Sequence, residues 1–275
     1  MTGKTVTKED LKRFYHTLLD QHHYSGEYRI EDWLRRFRYL QAQGRKRAKL
    51  AKMSIYLLVA IVVIGVVAVI QSWPIIPLMV GLLVLDIVFL IAMSKHQKLF
   101  DRLRQTLLPF LAVLQQDSHP DQPLSMELDL RGFDQVSKRV RHTAAGKQYP
   151  KVEESLFQDP WCQGQLTLCD NSVLSWQVQE IVRQRKIRKK NARGKIKFKT
   201  KYKCRTRLEF SLSFKHNRYQ LNDGAAKLQV RQGERRTVLK SRQVLPITQQ
   251  PGMPLPFREL LLGVSNLFKC LEPQG

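Results

Sequence analysis

MSIYLLVAIVVIGVVAVIQSWPIIPLMVGLLVLDIVFLIAM, residues 53–93, contains two apolar runs that meet at Gln71-Ser72-Trp73-Pro74. The first, 53–71, is broken inside only by Ser54 and Gly65; the second, 75–93, carries a single charge, Asp86. Each run is 19 residues. As a helix each would be roughly 28 Å long, close to the ~30 Å of hydrocarbon in a bilayer. Two such runs with so short a link predict a transmembrane helical hairpin over 53–93 that enters and leaves on one side. A core hairpin of a soluble protein is the rival, and apolarity on every helix face speaks against it.

The flanks set the orientation. Arg45, Lys46, Arg47, Lys49 and Lys52 precede the first run, Lys95, Lys98, Arg102 and Arg104 follow the second, and the link has no Lys or Arg. The positive-inside rule then places both termini in the cytoplasm and the Trp73-Pro74 tip outside. The expected location is a bacterial inner membrane, and no signal-peptide pattern precedes the first run.

Around the hairpin the chain divides into 1–52, a cytosolic helical segment; 94–116, a helix extending from the membrane; 117–123, a Pro-containing linker; 124–247, a cytosolic β domain; and 248–275, a Pro-rich connector with a C-terminal amphipathic helix. The expected fold class is an α+β membrane protein whose C-terminal antiparallel all-β domain carries a long basic β-hairpin. The net charge is +24 over 275 residues. So strong a basic excess predicts an anionic partner: lipid headgroups, an acidic protein or nucleic acid. Cys162, Cys169, Cys204 and Cys270 show neither metal-site nor disulfide spacing and are expected as reduced thiols.

In the first 50 residues, Thr7 and Asp10 form a capping-box start, and Leu11, Phe14, Tyr15, Leu18 and Leu19 recur at helical spacing. Ser25-Gly26 reads as a turn, and Ile30, Trp33, Leu34, Phe37 and Leu40 as a second stripe that continues toward the first span. An αα-hairpin results. His16, Asp20 and His23 share one face of the first helix; a solvated face accounts for them, and no metal site is assigned. Beyond the second span, Leu99, Phe100, Leu103 and Leu107 continue the helix until Pro109 kinks or restarts it.

From Leu124 the apolar period changes to 2. Leu124–Leu130 reads as a strand, 136–160 as a long loop, and Gln165–Cys169 with Val173–Val178 as a hairpin around Asp170-Asn171-Ser172. Residues 196–214 alternate strictly over 19 positions, with Ile196, Phe198, Tyr202, Cys204, Leu208, Phe210, Leu212 and Phe214 on one side. Their partner is the segment before Asn191-Ala192-Arg193-Gly194. Pairing Lys190 with Lys195 sets Ile187 and Ile181 on the apolar face, and a β-bulge near Gln179-Glu180 is then required to return Leu174, Trp176 and Val178 to it. Tyr219–Leu221, a final hairpin about Gly233-Glu234, and an amphipathic helix over Phe257–Phe268 complete the chain.

The candidate binding surface is the hairpin tip. Of the 25 residues from Arg183 to Arg207, 14 are basic: Arg183, Arg185, Lys186, Arg188, Lys189, Lys190, Arg193, Lys195, Lys197, Lys199, Lys201, Lys203, Arg205 and Arg207. A few edge lysines suffice to prevent strand aggregation, and like charges opposite one another weaken a hairpin. So many of them point to an anion. Asp86 is the only intramembrane polar candidate, read as a pin between helices or the centre of a small transporter or pore. No nucleotide-loop, metalloprotease or serine-hydrolase motif is present. The chain is therefore expected to be non-enzymatic, with no catalytic residue and no cofactor: a scaffold or adaptor whose basic ribbon binds anionic lipid or an acidic partner. Membrane-tethered binding of RNA or ribosomes is the alternative.

Overall fold

The computed structural model describes residues 6–70, 76–146 and 148–274. The expected Gln71–Pro74 link and the flanking Lys95 and Lys98 side chains lie outside what it describes. The fold is α+β, built on an antiparallel sheet.

Helix α1, Lys8–Gln21, starts at a complete capping box between Thr7 and Asp10, as the sequence implied. It stops where His22 takes a left-handed conformation, φ 52°. The following residues correct the expected αα-hairpin. His23–Arg29 form strand β1, which pairs with β2, Pro123–Asp129. Ser25-Gly26 is thus strand, not turn. The reversal falls at His22, and Tyr24 and Tyr28 pack their rings on Trp33 at 5.8 and 5.4 Å. Their stacking, with full pairing to β2, outweighs the weak strand propensity of Gly26. His23 sits in β1 with Nε2 3.1 Å from the Glu127 carboxylate, so the His16, Asp20, His23 helix face does not form.

Helix α2, Ile30–Ile70, is one continuous element, and α3 spans Ile76–Arg102. The stretch Ile30–Val66 is long and apolar enough to cross a membrane by length and composition, and α3 holds a shorter apolar stretch, Val80–Leu90. The two helices pack side by side, with the Ser54 hydroxyl donating to Asp86 Oδ1. Asp86 thus links the two helices, and its other oxygen has no hydrogen-bond partner among the described residues. After Arg102 the chain widens into one π turn, Leu103–Leu107, before α4, Leu108–Leu114, with Pro109 in its first turn. The wide turn, closed by Leu108 N–H on the Leu103 carbonyl, frees the space that a proline ring takes from the preceding turn.

The main sheet runs β1-β2-β4-β5-β6-β9-β8, with β3 on one end of β4. Its long strands are β4, Lys151–Thr167; β5, Val173–Lys190; and β6, Ile196–Lys215. Strand β3 is Arg139–Thr143, β8 Gln229–Gln232 and β9 Arg236–Val244. Tyr219–Leu221, β7, pairs apart from the sheet with β10, Leu271–Pro273. The expected loop over 136–160 is corrected to β3 and most of β4. Pro160 hid the strand. It is tolerated because a register shift follows it: Pro160 faces Gln179, Cys162 faces Val178, and Trp161 is the extra residue, the bulge position at which proline is accepted. The expected bulge near Gln179-Glu180 is corrected too. β5 and β6 pair without a shift from Val173↔Ser213 to Lys190↔Ile196. The turn takes five residues, Asn191–Lys195, closed by Asn191 N–H on the Lys195 carbonyl and by Gly194 at φ 79°. That one-residue change puts Leu174, Trp176 and Val178 in the core with no bulge, and turns Ile181 and Ile187 outward.

One sheet face is the core. Leu124, Leu128, Leu166, Leu174, Trp176, Val178, Leu208, Phe210 and Leu212 are buried against Trp33, Leu107, Phe110 and Leu111 from α2–α4. Helix α5, Phe257–Phe268, docks on the same face through Leu260, Val264 and Leu267. The opposite face is an open polar trough, lined by Ser125, Gln165, Ser175, Gln177, Ser211 and Lys240 among others. This is the in/out division of a one-sided antiparallel sheet.

Candidate anion-binding surface

Strict alternation sorts the basic residues by face. On the outward face β5 contributes Arg183, Arg185 and Lys189, and β6 contributes Lys197, Lys199, Lys201, Lys203, Arg205 and Arg207. The register places Arg183 opposite Lys203, Arg185 opposite Lys201, and Lys189 opposite Lys197. Lys186, Arg188 and Lys190 take the other face, and Arg193 and Lys195 lie in the turn. The ribbon is wider than a two-stranded hairpin, because β4 accompanies β5 as far as Lys151↔Arg188. Glu154 of β4 pairs with Arg183 at 2.6 Å and Arg185 at 2.9 Å, and Glu153 approaches Lys186 at 3.6 Å. The Arg183 hydrogen bond holds the Glu154 carboxyl below its usual range. The other eleven of the 14 make no ion pair among the described residues (14 less the three paired). Arg139, Arg141 and Lys151 from β3 and β4 widen the basic area; they lay unrecognised in the stretch read as loop. Phe198 stands 76% exposed near the tip, with the Arg188 guanidinium 5.5 Å from its ring centroid.

The ribbon is rooted in a buried ionic cluster. At the end of α3, Arg102 meets Glu180 of β5 at 2.6 Å and Asp159 of β4 at 4.0 Å, and lies 5.2 Å from the Trp161 ring. Lys138 pairs with Asp159 at 2.6 Å and with Asp129 at 3.0 Å, and Arg131 also holds Asp129. Glu180 accepts as well from Gly252 N–H at 3.1 Å. Burial pushes the Asp159 carboxyl up despite the Lys138 hydrogen bond. At Asp129 burial acts the same way, but hydrogen bonds from Arg131 and Lys138 outweigh it and the carboxyl ends well below its ordinary value. Sequence reasoning passed over this cluster, because its members come from five separate segments.

Three contacts fix the direction of the ribbon. Cys169 N–H donates to the Asp117 carbonyl at 3.0 Å, Phe110 meets Trp176 edge-on at 5.4 Å, and Arg102 meets Glu180. Running back from Asp117 to Arg102 therefore runs alongside Cys169 to Glu180. Carried on, the same direction leads along α3 into the apolar stretch and along β5 to the basic tip. Up to Arg102 and Glu180 the two segments therefore run in the same sense. From Glu180 to Lys190 the strand extends roughly 33 Å, and from Arg102 to Met93 the helix extends roughly 14 Å.

Among the described residues no group of three or more His, Cys, Asp or Glu is placed to hold a metal. Cys162 and Cys204 are buried, and burial raises their thiols to about 12 and about 11. No protein-family model matches the chain, and no curated protein or solved structure matches it.

Proposed function

We propose that this chain is a non-enzymatic membrane-anchored adaptor whose basic ribbon lies on anionic lipid headgroups. In this reading α2 and α3 form a two-pass anchor in a bacterial inner membrane, with both termini on the cytoplasmic side. What supports it is the shared sense of the two segments up to Arg102 and Glu180: carried straight on, the ribbon points the way the apolar helices point, and its reach exceeds the helical neck. Large apolar side chains on those helices are open, with Met53 66%, Tyr56 74% and Leu85 68% exposed, a belt that needs an apolar surround. Each Lys or Arg near an anionic leaflet is worth about 1 kcal/mol, so the seven unpaired cations of the outward face (nine less Arg183 and Arg185) outweigh the cross-strand repulsion of a few tenths to about 1 kcal/mol per pair.

The test places an environment-sensitive dye at the tip, using Lys197→Cys in a Cys169→Ser background. The full-length protein is reconstituted into vesicles of phosphatidylcholine with or without phosphatidylglycerol. A blue-shifted dye in phosphatidylglycerol vesicles, reverting in 1 M salt as charges are screened, is the expected result. A dye that stays in water in both vesicles overturns the reading. Protection of the dye by added RNA in phosphatidylcholine vesicles would instead assign the ribbon to nucleic acid.

A further inference from the structure

A second basic feature lies apart from the ribbon, where α2 and α3 enter their apolar stretches. A cleft of about 250 Å³ opens there between the two helices. Its floor is apolar and firmly packed, formed by Phe37, Leu40, Phe100 and Leu103, each no more than 8% exposed. Its rim carries Arg45, Arg47 and Arg104 against a single acid, Asp101. Among the described residues Asp101 pairs with Arg104, at 3.1 Å on an exposed part of the surface, where such a pair is worth little. Arg47 leans on the Tyr15 ring at 5.4 Å, which orders it without neutralising it. Gly44 makes the room, since a Cβ there would meet no described atom within 4 Å.

We infer that this cleft is a binding site for one anionic phospholipid, its phosphate held by Arg45 and Arg104 and its acyl chain running upward past Leu50 and Met53. The cleft's place on the chain favours a lipid over a soluble phosphate. Gly44 is nine residues before Met53 on a continuous helix, roughly 14 Å below the first apolar run. The headgroup layer extends only about 5–8 Å beyond the hydrocarbon, so contact with it is made by the long Arg45 and Arg104 side chains reaching up from the rim. Above the cleft, Leu50 and Met53 are 49% and 66% exposed, giving an acyl chain an apolar path upward. A phosphate alone would leave the exposed Leu50 and Met53 surface unused; a neutral lipid would leave the guanidinium groups unmatched. Basic pockets between helices at the cytoplasmic boundary take anionic headgroups for the same reason. The inference rests on α2 and α3 being inserted in a bilayer but not on the ribbon's role.

Native mass spectrometry of the full-length protein in an uncharged detergent, titrated with phosphatidylglycerol, tests it. A one-to-one adduct is expected, with phosphatidylcholine binding at least tenfold more weakly. Arg45→Gln and Arg104→Gln should each weaken the adduct about fivefold, and Gly44→Leu, which fills the cleft on a helix it does not disturb, should abolish it. Replacing Lys197, Lys199, Lys201 and Lys203 with Thr should leave the adduct intact, which separates this site from the ribbon. Equal binding of the two lipids, competition by inorganic phosphate at the lipid's own concentration, or undiminished binding by Gly44→Leu overturns the inference. So does loss of the adduct in the ribbon variant with retention in the cleft variants.

Discussion

Arg102 is the residue on which helix and sheet depend together. It is 8% exposed, bonded to Glu180, close to Asp159 and set against Trp161. Arg102→Ala would leave Glu180 with only the Gly252 N–H and would remove a cation from beside Asp159. Breaking a buried pair from one side costs about 3–5 kcal/mol, so chemical denaturation should show a loss of that size. Asp129 supplies a pH dependence. Its carboxyl is held well below the ordinary 3.8 in the folded chain. For a depressed acid the stabilisation is present above the unfolded value and is lost as pH falls through the folded one. Melting temperature should therefore fall below about pH 4, and Asp129→Asn, less stable at neutral pH, should show a shallower fall. A slope unchanged by Asp129→Asn would count against this assignment.

At the scale of elements, what could be read from the sequence was what periodicity states directly. The capping box of α1, the alternation of β6 and the amphipathic stripe of α5 each carry a local signal strong enough to set the structure. β4 carried none, because Pro160 and the Trp161 bulge interrupt its alternation; only pairing with β5 on one side and β2 and β3 on the other makes it a strand. The β5–β6 register missed by one residue because turn length is set by backbone conformation at Asn191 and Gly194. β1 was lost for a similar reason: its Gly26 reads as a breaker until a sheet edge is there to pair with it. The basic surface was therefore legible residue by residue, while its third strand, its acids Glu153 and Glu154, and its buried root were not. Gly263 shows how context overrides local preference. Gly→Ala inside a helix ordinarily gains up to about 1 kcal/mol. Here a Cβ would overlap the Phe210 ring, and overpacking a core costs about 1–3 kcal/mol. Gly263→Ala should lower the melting temperature, and a rise would mean that α5 does not dock as described.

For the whole molecule, the ribbon's charges set stability against binding, and the sign of that conflict is measurable. Three of its outward-facing cross-strand pairs are cation on cation: Arg183 with Lys203, Arg185 with Lys201, and Lys189 with Lys197. Each directly opposed like-charge pair works against the sheet by a few tenths to about 1 kcal/mol. If these lysines served the fold, removing them would weaken it. If they serve an anionic surface, they are retained at a cost to the fold. Replacing Lys197, Lys199, Lys201 and Lys203 with Thr, a better strand former, removes all three repulsive pairs. The variant should then be more stable by roughly 1 kcal/mol at low ionic strength, a rise of about 2–4 °C. The gain should shrink at high salt as the repulsion is screened. The same variant, with the Arg193→Cys dye site in place of residue 197, should lose its tip contact with phosphatidylglycerol vesicles. Higher stability with lost contact identifies the cations as binding residues. A lower melting temperature would identify them as structural and remove the ground for a lipid-facing ribbon.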